Sequence, residues 1–352
     1  MKSVPEIDAL IRQNRAFAVY RLPCENRMHY IGEEILYIGT SNLINNLENQ
    51  NGFLIAPFHA SETFPIVLIR AGEEKTFDIP DVVAASGKSE NIRQEPTSKY
   101  RSRFKIFTQA LADKIFEKLV LSCCMTVPRK DGFSPEIVFY RACKRYMRSY
   151  VYLFHTPQTG TWLGSTPEVF LSGRENQWHT VALAGTQPLQ NGMLPKTWDE
   201  KKREEQQVVA NYVRDCLSSH YISSCEETEP YSVQAGELAH LRTDFRFSMR
   251  EAQALGLLLN DLHPTPAVCG LPKDKALRFI INQEGYNRQY YSGVLGRLNP
   301  DGQTDLYVNL RCMKIEDNHL LLYAGGGLFA SSDLEEEWRE IEDKMQTMLR
   351  II

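Results

Sequence analysis

The stretch that most limits how this chain can fold lies between residues 320 and 344. An apolar run, Leu320-Leu321-Leu322-Tyr323, meets Ala324-Gly325-Gly326-Gly327 and then a charged segment from Ser331 to Lys344. The pattern predicts a strand, a glycine turn and a helix, with the glycines where backbone must approach another group closely. Ser332 or Asp333 can cap the helix, and Glu335 or Glu336, three residues on, completes a capping box. Glu337, Glu340 and Lys344 are spaced three and four apart, which aligns two carboxylates and an ammonium on one helical face. Such a face is either solvated, with one ion pair, or the wall of a site.

Upstream, the chain alternates between two periods. Short apolar runs at 16–22, 34–38, 53–57 and 65–69 are separated by polar turns such as Asn45-Asn46, which makes residues 1–95 a β-rich region. Residues 84–98 are small and polar and read as a loop or linker. From 97 to 115, Tyr100, Phe104, Phe107, Leu111 and Ile115 recur at helical spacing. The period then drops to two at Lys118-Leu119-Val120-Leu121-Ser122. A helix over 135–147 precedes a meander at 150–154, 161–163, 169–171 and 178–183. Helices are expected over 200–219, 248–260 and 272–283. Three antiparallel strands, 290–298, 305–315 and 319–324, lead into the glycines.

With 352 residues the chain suits one large domain or two halves. Forty basic against forty-four acidic side chains give a net charge of −4, so no basic field points to nucleic acid or an anionic membrane. An anionic substrate would need local cations or a metal. Eight cysteines, at 24, 123, 124, 143, 216, 225, 269 and 312, form no CxxC pair. There is no apolar signal core and no eighteen-residue apolar run, so the expectation is a reduced, cytoplasmic protein without a membrane span.

A few polar residues stand at positions where chemistry is one of two readings. Lys118 opens a strand and shares a face with Val120 and Ser122; it either snorkels to water or enters a site. Glu168 follows Pro167 in the turn Gly164-Ser165-Thr166-Pro167-Glu168, as a surface carboxylate or a positioned one. Glu205 is in phase with the apolar stripe Val209, Tyr212, Cys216. It is paired, protonated or metal-bound if that stripe is buried there, or a solvated first-turn glutamate if not. Arg311 alternates with Tyr307 and Asn309 beside the glycine-bound strand, or faces solvent. His263 sits in a proline-rigid loop, Leu262-His263-Pro264-Thr265-Pro266.

Together these motifs place the chain closest to a known family. Lys118–Ser122, Gly164–Glu168, Leu183-Ala184-Gly185-Thr186, Lys201 with Arg203-Glu204-Glu205, the 262–268 loop, Arg288 with Gly293, Arg311, Ala324–Gly327, and Glu337-Trp338 with Glu340 and Lys344 occur in the order of the chorismate-utilising enzymes. The chain resembles their isochorismate synthases most, over roughly residues 97–352, here taken as a catalytic domain over 96–352. The resemblance implies an α+β fold of two large antiparallel β-sheets packed face to face with helices outside. It implies water addition at carbon 2 of chorismate and loss of the hydroxyl at carbon 4, which needs a base and an acid. Lys118 would be the base and Glu168 the acid, so the amine must shed a proton and the carboxyl hold one. Mg²⁺ would bridge the ring carboxylate to Glu205 and Glu340, with Glu337 close by. Arg311 would grip the enolpyruvyl carboxylate. Gly185, Thr186, His263, Gly325, Gly326 and Lys344 would line the substrate, with His240 nearby.

Cys123, Gln206, Gln289 and Gly326-Gly327-Leu328-Phe329 depart from the family's usual residues. The resemblance leaves menaquinone and siderophore synthesis both open. It also leaves open a salicylate synthase, which goes on to expel pyruvate, and a non-catalytic binder. The amine-transferring members lack a lysine at the position of Lys118 and need an amidotransferase partner, so a chain acting without one, as a monomer, is expected.

Overall fold

The computed structural model describes residues 6–39, 50–82, 95–219, 222–249, 253–299 and 301–352. The expected turn at Asn45-Asn46 and most of the 84–98 loop lie outside these residues. In chain order the elements are α1 (Ile7–Arg12), β1 (Phe17–Arg21), β2 (Arg27–Gly39), β3 (Gly52–Ala56), β4 (Ile66–Asp78), α2 (Ser98–Ala112), β5 (Lys118–Pro128), α3 (Pro135–Arg145), β6 (Tyr150–Thr156), β7 (Gly160–Thr166), β8 (Val169–Arg174) and β9 (Gln177–Pro188). They continue with α4 (Glu200–Ser219), β10 (Ile222–Glu227), β11 (Tyr231–Ala235), β12 (Leu238–Met249), α5 (Gln253–Leu262), β13 (Gly270–Leu271), α6 (Lys273–Gln283), β14 (Val294–Leu298), β15 (Gln303–Val308), β16 (Cys312–Ile315), β17 (His319–Leu328) and α7 (Leu334–Leu349).

Strand neighbours are antiparallel throughout. One arm runs β12-β9-β8-β15-β14-β3-β4 and the other β2-β1-β6-β7-β16-β17-β5-β13, joined through the long pair β2 and β4. The arms form two large antiparallel sheets, and strand alternation says which face meets which layer. Tyr150, Tyr152 and Phe154 share one cluster with Phe53, Ile55, Val67, Ile69, Leu295 and Tyr307 of the opposite arm. Tyr150 and Tyr307 stack with ring centroids 4.1 Å apart. The alternate residues face outward onto helices: Leu54, Leu68 and Leu306 onto Val213 of α4 and Leu258 of α5, Val151 and Leu153 onto Phe139 of α3. A third helical layer, with Phe107, Ile280 and Ile341, covers Leu119 and Leu121 of β5. Among the described residues no helix is long and apolar enough to cross a membrane.

Five expectations change. Ala324–Gly327 is not a turn. It continues β17 in register with β5, Gly325 opposite Ser122, Gly326 opposite Leu121 and Gly327 opposite Val120. Its glycines answer to what packs over them. Residues 305–315 are two strands, because Asn309 donates to Tyr290 O at 2.7 Å and Arg311 takes φ +46°. Arg311 therefore follows no strand alternation. Residues 290–293 form the turn that receives Asn309, with Ser292 N donating to Asn309 O, so only Val294–Leu298 is strand. In place of a helix over 248–260, β12 persists to Met249, since Phe245, Phe247 and Met249 alternate into the core; α5 starts at Gln253. Ile115, counted in the α2 stripe, is 53% exposed, because the helix stops at Ala112 and Lys114 turns with φ +57°.

Candidate active site

One cavity lies where β5, β9, β12, β17, α4 and α7 approach. Glu168, Gly185, Thr186, Glu205, Arg311, Gly325, Gly327 and Lys344 line it, together with His240. Lys118 stands at its edge, fully buried, with Nζ 3.2 Å from Glu205 Oε1 in an ion pair that lacks hydrogen-bond alignment. The burial follows from topology: β13 covers Lys118 and Leu119 on one side and the end of β17 covers Leu119 on the other. Glu205 is in phase with buried Val209 and Cys216, and of the readings open to it the paired one holds.

The glycines of β17 make room for this pair. A Cβ on Gly327 would collide with Glu205 Oε1 and stand 2.7 Å from Lys118 Cε. One on Gly326 would lie 3.0 Å from Glu337 Oε2, and one on Gly325 2.9 Å from the Tyr291 hydroxyl. Gly185 serves a different approach. Its φ of +72° lets β9 pass the carbonyl of Lys202, which would stand 2.9 Å from a Cβ there. The first turn of α4 is capped by Asp199, which accepts from Lys202 N at 2.8 Å.

Glu168 is held by its backbone between β7 and β15. Its N–H donates to Thr166 Oγ1 at 3.3 Å, and its carbonyl accepts from Val308 N at 3.0 Å. Burial pushes its carboxyl up to about 8, against the opposing fields of Lys118, Lys344 and Arg311. A carboxyl shifted this way holds its proton more readily than an ordinary glutamate, even within the fields of three cations.

Arg311 is buried. Its Nη1 donates to Ala235 O at 2.7 Å and its Nη2 to His240 Nε2. A guanidinium has no acceptor, so His240 Nε2 carries the lone pair and Nδ1 carries the proton, donated to Gly185 O at 3.2 Å. Burial, with Arg311 and Lys344 nearby, holds His240 well below its ordinary value. Burial lowers Arg311 to about 10.

Glu337 and Glu340 project from α7, whose first turn is capped by Asp333 accepting from Glu335 N and Glu336 N at 3.0 Å each. Glu337 Oε1 accepts from Lys201 and Ser332, both at 2.9 Å, while its Oε2 has no hydrogen-bond partner among the described residues. Burial and then Glu340 raise the Glu337 carboxyl. Glu340 receives Lys202 on Oε2 at 2.6 Å and Lys344 on Oε1 at 2.8 Å. Burial alone would raise Glu340, but the two ammonium groups outweigh it and hold the carboxyl low. Lys344 also donates to Gly325 O at 2.7 Å.

The oxygen-only set Glu205, Glu337 and Glu340 suits a hard divalent cation, and the buried, unpartnered Oε2 of Glu337 leaves an anionic acceptor for one. As they stand, with lysines on all three carboxylates, no three acidic, histidine or cysteine groups among the described residues form a metal shell.

His263 is not part of this cavity. Its Nε2 lies 3.0 Å from Pro57 O, its ring meets Phe170 edge-on, and burial lowers it to about 4. It fastens the 262–268 loop, of which only Ala267 and Val268 reach the cavity. Sequence reasoning also missed Tyr291 and Tyr323, which form part of the wall, and Lys202, which pairs with Glu340 but lies inside a charge run that reads as solvated. The helical offset of Lys202 and Glu205 was the available clue.

The strand carrying Lys118 has its own support. Glu284 Oε1 accepts from Ser122 N at 2.7 Å and from Ser122 Oγ at 2.8 Å. Arg288 pairs with Glu284 at 2.6 Å and donates to Val120 O at 2.9 Å and Val268 O at 2.7 Å.

Comparison with known proteins bears on the family and the fold. Residues 70–352 match the family model described as chorismate binding enzyme. The isochorismate synthase EntC of Escherichia coli K12 is 28% identical over 247 residues, 67% of this chain and 62% of EntC. The isochorismate synthase MenF of the same organism is 28% identical over 258 residues, 70% of this chain and 59% of MenF. The matched part is thus about three fifths of the length of these two relatives. A structure of a putative 2,3-dihydroxybenzoate-specific isochorismate synthase, DhbC from Bacillus anthracis, superposes with a TM-score of 0.80 at 22% identity, covering 97% of this chain and 98% of that one; at this identity the likeness speaks for the fold. With a family match over residues 70–352, most of its length, and the two-sheet fold, this chain belongs to the chorismate binding enzyme family.

Proposed function

We propose that the chain is an isochorismate synthase, converting chorismate to isochorismate. The observation that carries this reading is a cavity lined by Glu168, whose carboxyl burial pushes up to about 8, with the buried Lys118 amine at its edge and its field acting on that carboxyl. Lys118 takes a proton from water as the water oxygen bonds to ring carbon 2. The ring double bonds shift, the carbon 4–oxygen bond breaks, and Glu168 gives its proton to the departing hydroxyl. One water enters and one leaves, so the net change is an isomerisation. Arg311 binds the enolpyruvyl carboxylate with a guanidinium already fixed by Ala235 and His240. Lys344, Thr186 and the β17 backbone position the ring.

Glu205, Glu337 and Glu340 would hold Mg²⁺, which when bound neutralises and anchors the ring carboxylate. The reaction needs no amidotransferase subunit, and the chain is proposed to act as a monomer. All eight cysteines are free thiols, which suits a reducing cytoplasm.

The test is incubation of the pure protein with chorismate, with and without Mg²⁺, and chromatography of the products. Isochorismate that forms only with Mg²⁺ is the expected result. Salicylate fluorescence in the absence of a second enzyme would overturn the assignment in favour of a lyase, and untouched chorismate would remove it.

Gly327→Ala probes the close packing. The added methyl would displace Lys118 Cε and Glu205 Oε1. A shift of about 1 Å in a reacting group costs roughly 100-fold, so kcat should fall by about that factor. A fully active Gly327→Ala protein would show that the amine is not where the chemistry occurs.

A further inference from the structure

Four lysine side chains face the three carboxylates assigned to the cation. Lys118 is on Glu205, Lys201 on Glu337, and Lys202 and Lys344 are on Glu340. Even with Lys118 neutral, as its role as base requires, three ammonium groups match the three carboxylates, so the cluster is already neutralised by the chain itself. A divalent ion placed there would leave net positive charge unless an anion arrives with it or an ammonium leaves.

The four lysines are not equivalent. Lys118 is fully buried at a strand start. Lys344 is on the same helix as Glu340 and is tied to Gly325 O as well. Lys201 shares Glu337 Oε1 with Ser332. Lys202 has one hydrogen bond from its ammonium among the described residues, to Glu340 Oε2 at 2.6 Å. It sits in the first turn of α4 with its side chain 14% exposed. A flexible four-carbon stem at that position can carry its charge outward when another cation takes the carboxylate.

We propose that Lys202 is a built-in counter-ion that competes with the divalent cation for Glu340, so that the metal binds well only when an anionic substrate is present. A substrate with two carboxylates adds the missing negative charge and offers the released ammonium a new partner. The inference rests on the reading that Glu205, Glu337 and Glu340 hold a divalent cation, and it adds a residue of this chain that sets when they do so.

The probe is Mn²⁺, titrated into the full chain and followed by the electron paramagnetic resonance signal of free Mn²⁺, with no turnover needed. Lys202→Met keeps the stem and removes the charge; Lys202→Gln is a second variant, and melting curves check that each is folded. Without substrate, Lys202→Met should bind Mn²⁺ at least about ten-fold more tightly than the unmodified chain, the lower end expected for a close charge pair. With chorismate, in a Glu168→Gln background that turns it over only slowly, the gap should narrow. Equal substrate-free affinities in the unmodified chain and both variants would overturn the role of Lys202. Failure of every protein to bind Mn²⁺, even with chorismate, would instead remove the glutamate site on which the role depends.

Discussion

Glu168→Gln and Lys118→Ala proteins are expected to bind chorismate and to turn it over about 10²–10⁴-fold more slowly than the unmodified chain, the range for loss of a positioned acid or base. Glutamine keeps the shape of the Glu168 side chain and its polar contacts but has no proton to give. The pH profile separates this role from a structural one. Burial places the Glu168 carboxyl at about 8, opposed by Lys118, Lys344 and Arg311. The acid form is the active one. Below pH 8 the group is protonated and kcat/KM is not limited by it; as pH rises through about 8 the proton is lost and kcat/KM falls. In Glu168→Gln that alkaline limb should vanish from whatever activity remains. Retention of more than a tenth of the turnover, or an unchanged alkaline limb, would mean that another group donates the proton. A chain that only binds chorismate would show no turnover to lose, which the unmodified protein settles in the same assay.

Much of the fold was legible because period is a local signal. The helix of residues 200–219 was readable from Val209, Tyr212 and Cys216, and the strand faces from alternation such as Tyr150, Tyr152 and Phe154 against Val151 and Leu153. What failed was decided by distant neighbours. Ala324–Gly327 has the composition of a turn, yet it is strand because β5 pairs along all of it and the carboxylates of Glu205 and Glu337 occupy the space of its side chains. Arg311 looked like one step in an alternation, but Asn309 bonds back to Tyr290 and breaks the strand. The site residues were named through resemblance. From pattern alone a lysine at a strand start snorkels, and only β13 and β17, more than a hundred residues away, make Lys118 buried. His263 misled because its loop belongs to the site while its ring turns to Pro57. Lys202 gave little signal beyond its helical offset from Glu205, since its ion pair spans 138 residues of sequence.

Arg288→Met should lower stability by about 3–5 kcal/mol, the cost of leaving one member of a buried ion pair without its partner. For a chain of this length that corresponds to a fall of about 4–7 °C in Tm. Arg288 and Glu284 are almost fully buried, with side-chain exposures of 2% and 1%. The guanidinium lies 4.3 Å from the centre of the Phe58 ring and meets Glu284 through Nε at 2.6 Å and Nη2 at 2.7 Å. Burial alone would lower Arg288, but Glu284 outweighs it and keeps the charge in place. Its other donors reach Val120 O in the strand of Lys118 and Val268 O at the cavity wall, while Glu284 receives Ser122. The pair therefore clamps β5 to the 262–268 loop and supports the strand behind Lys118. Arg288→Lys should not rescue, because one ammonium cannot reach in plane the acceptors that the planar fork reaches. Removing both charges in Arg288→Met with Glu284→Leu should recover much of the lost Tm, since no unpaired charge stays buried. Turnover of chorismate should stay low in that double variant, because the backbone of β5 is no longer tied to the loop across from it. A double variant that melts lower than either single one would show that the pair acts through packing. One that regains full turnover would show that Lys118 needs no such clamp.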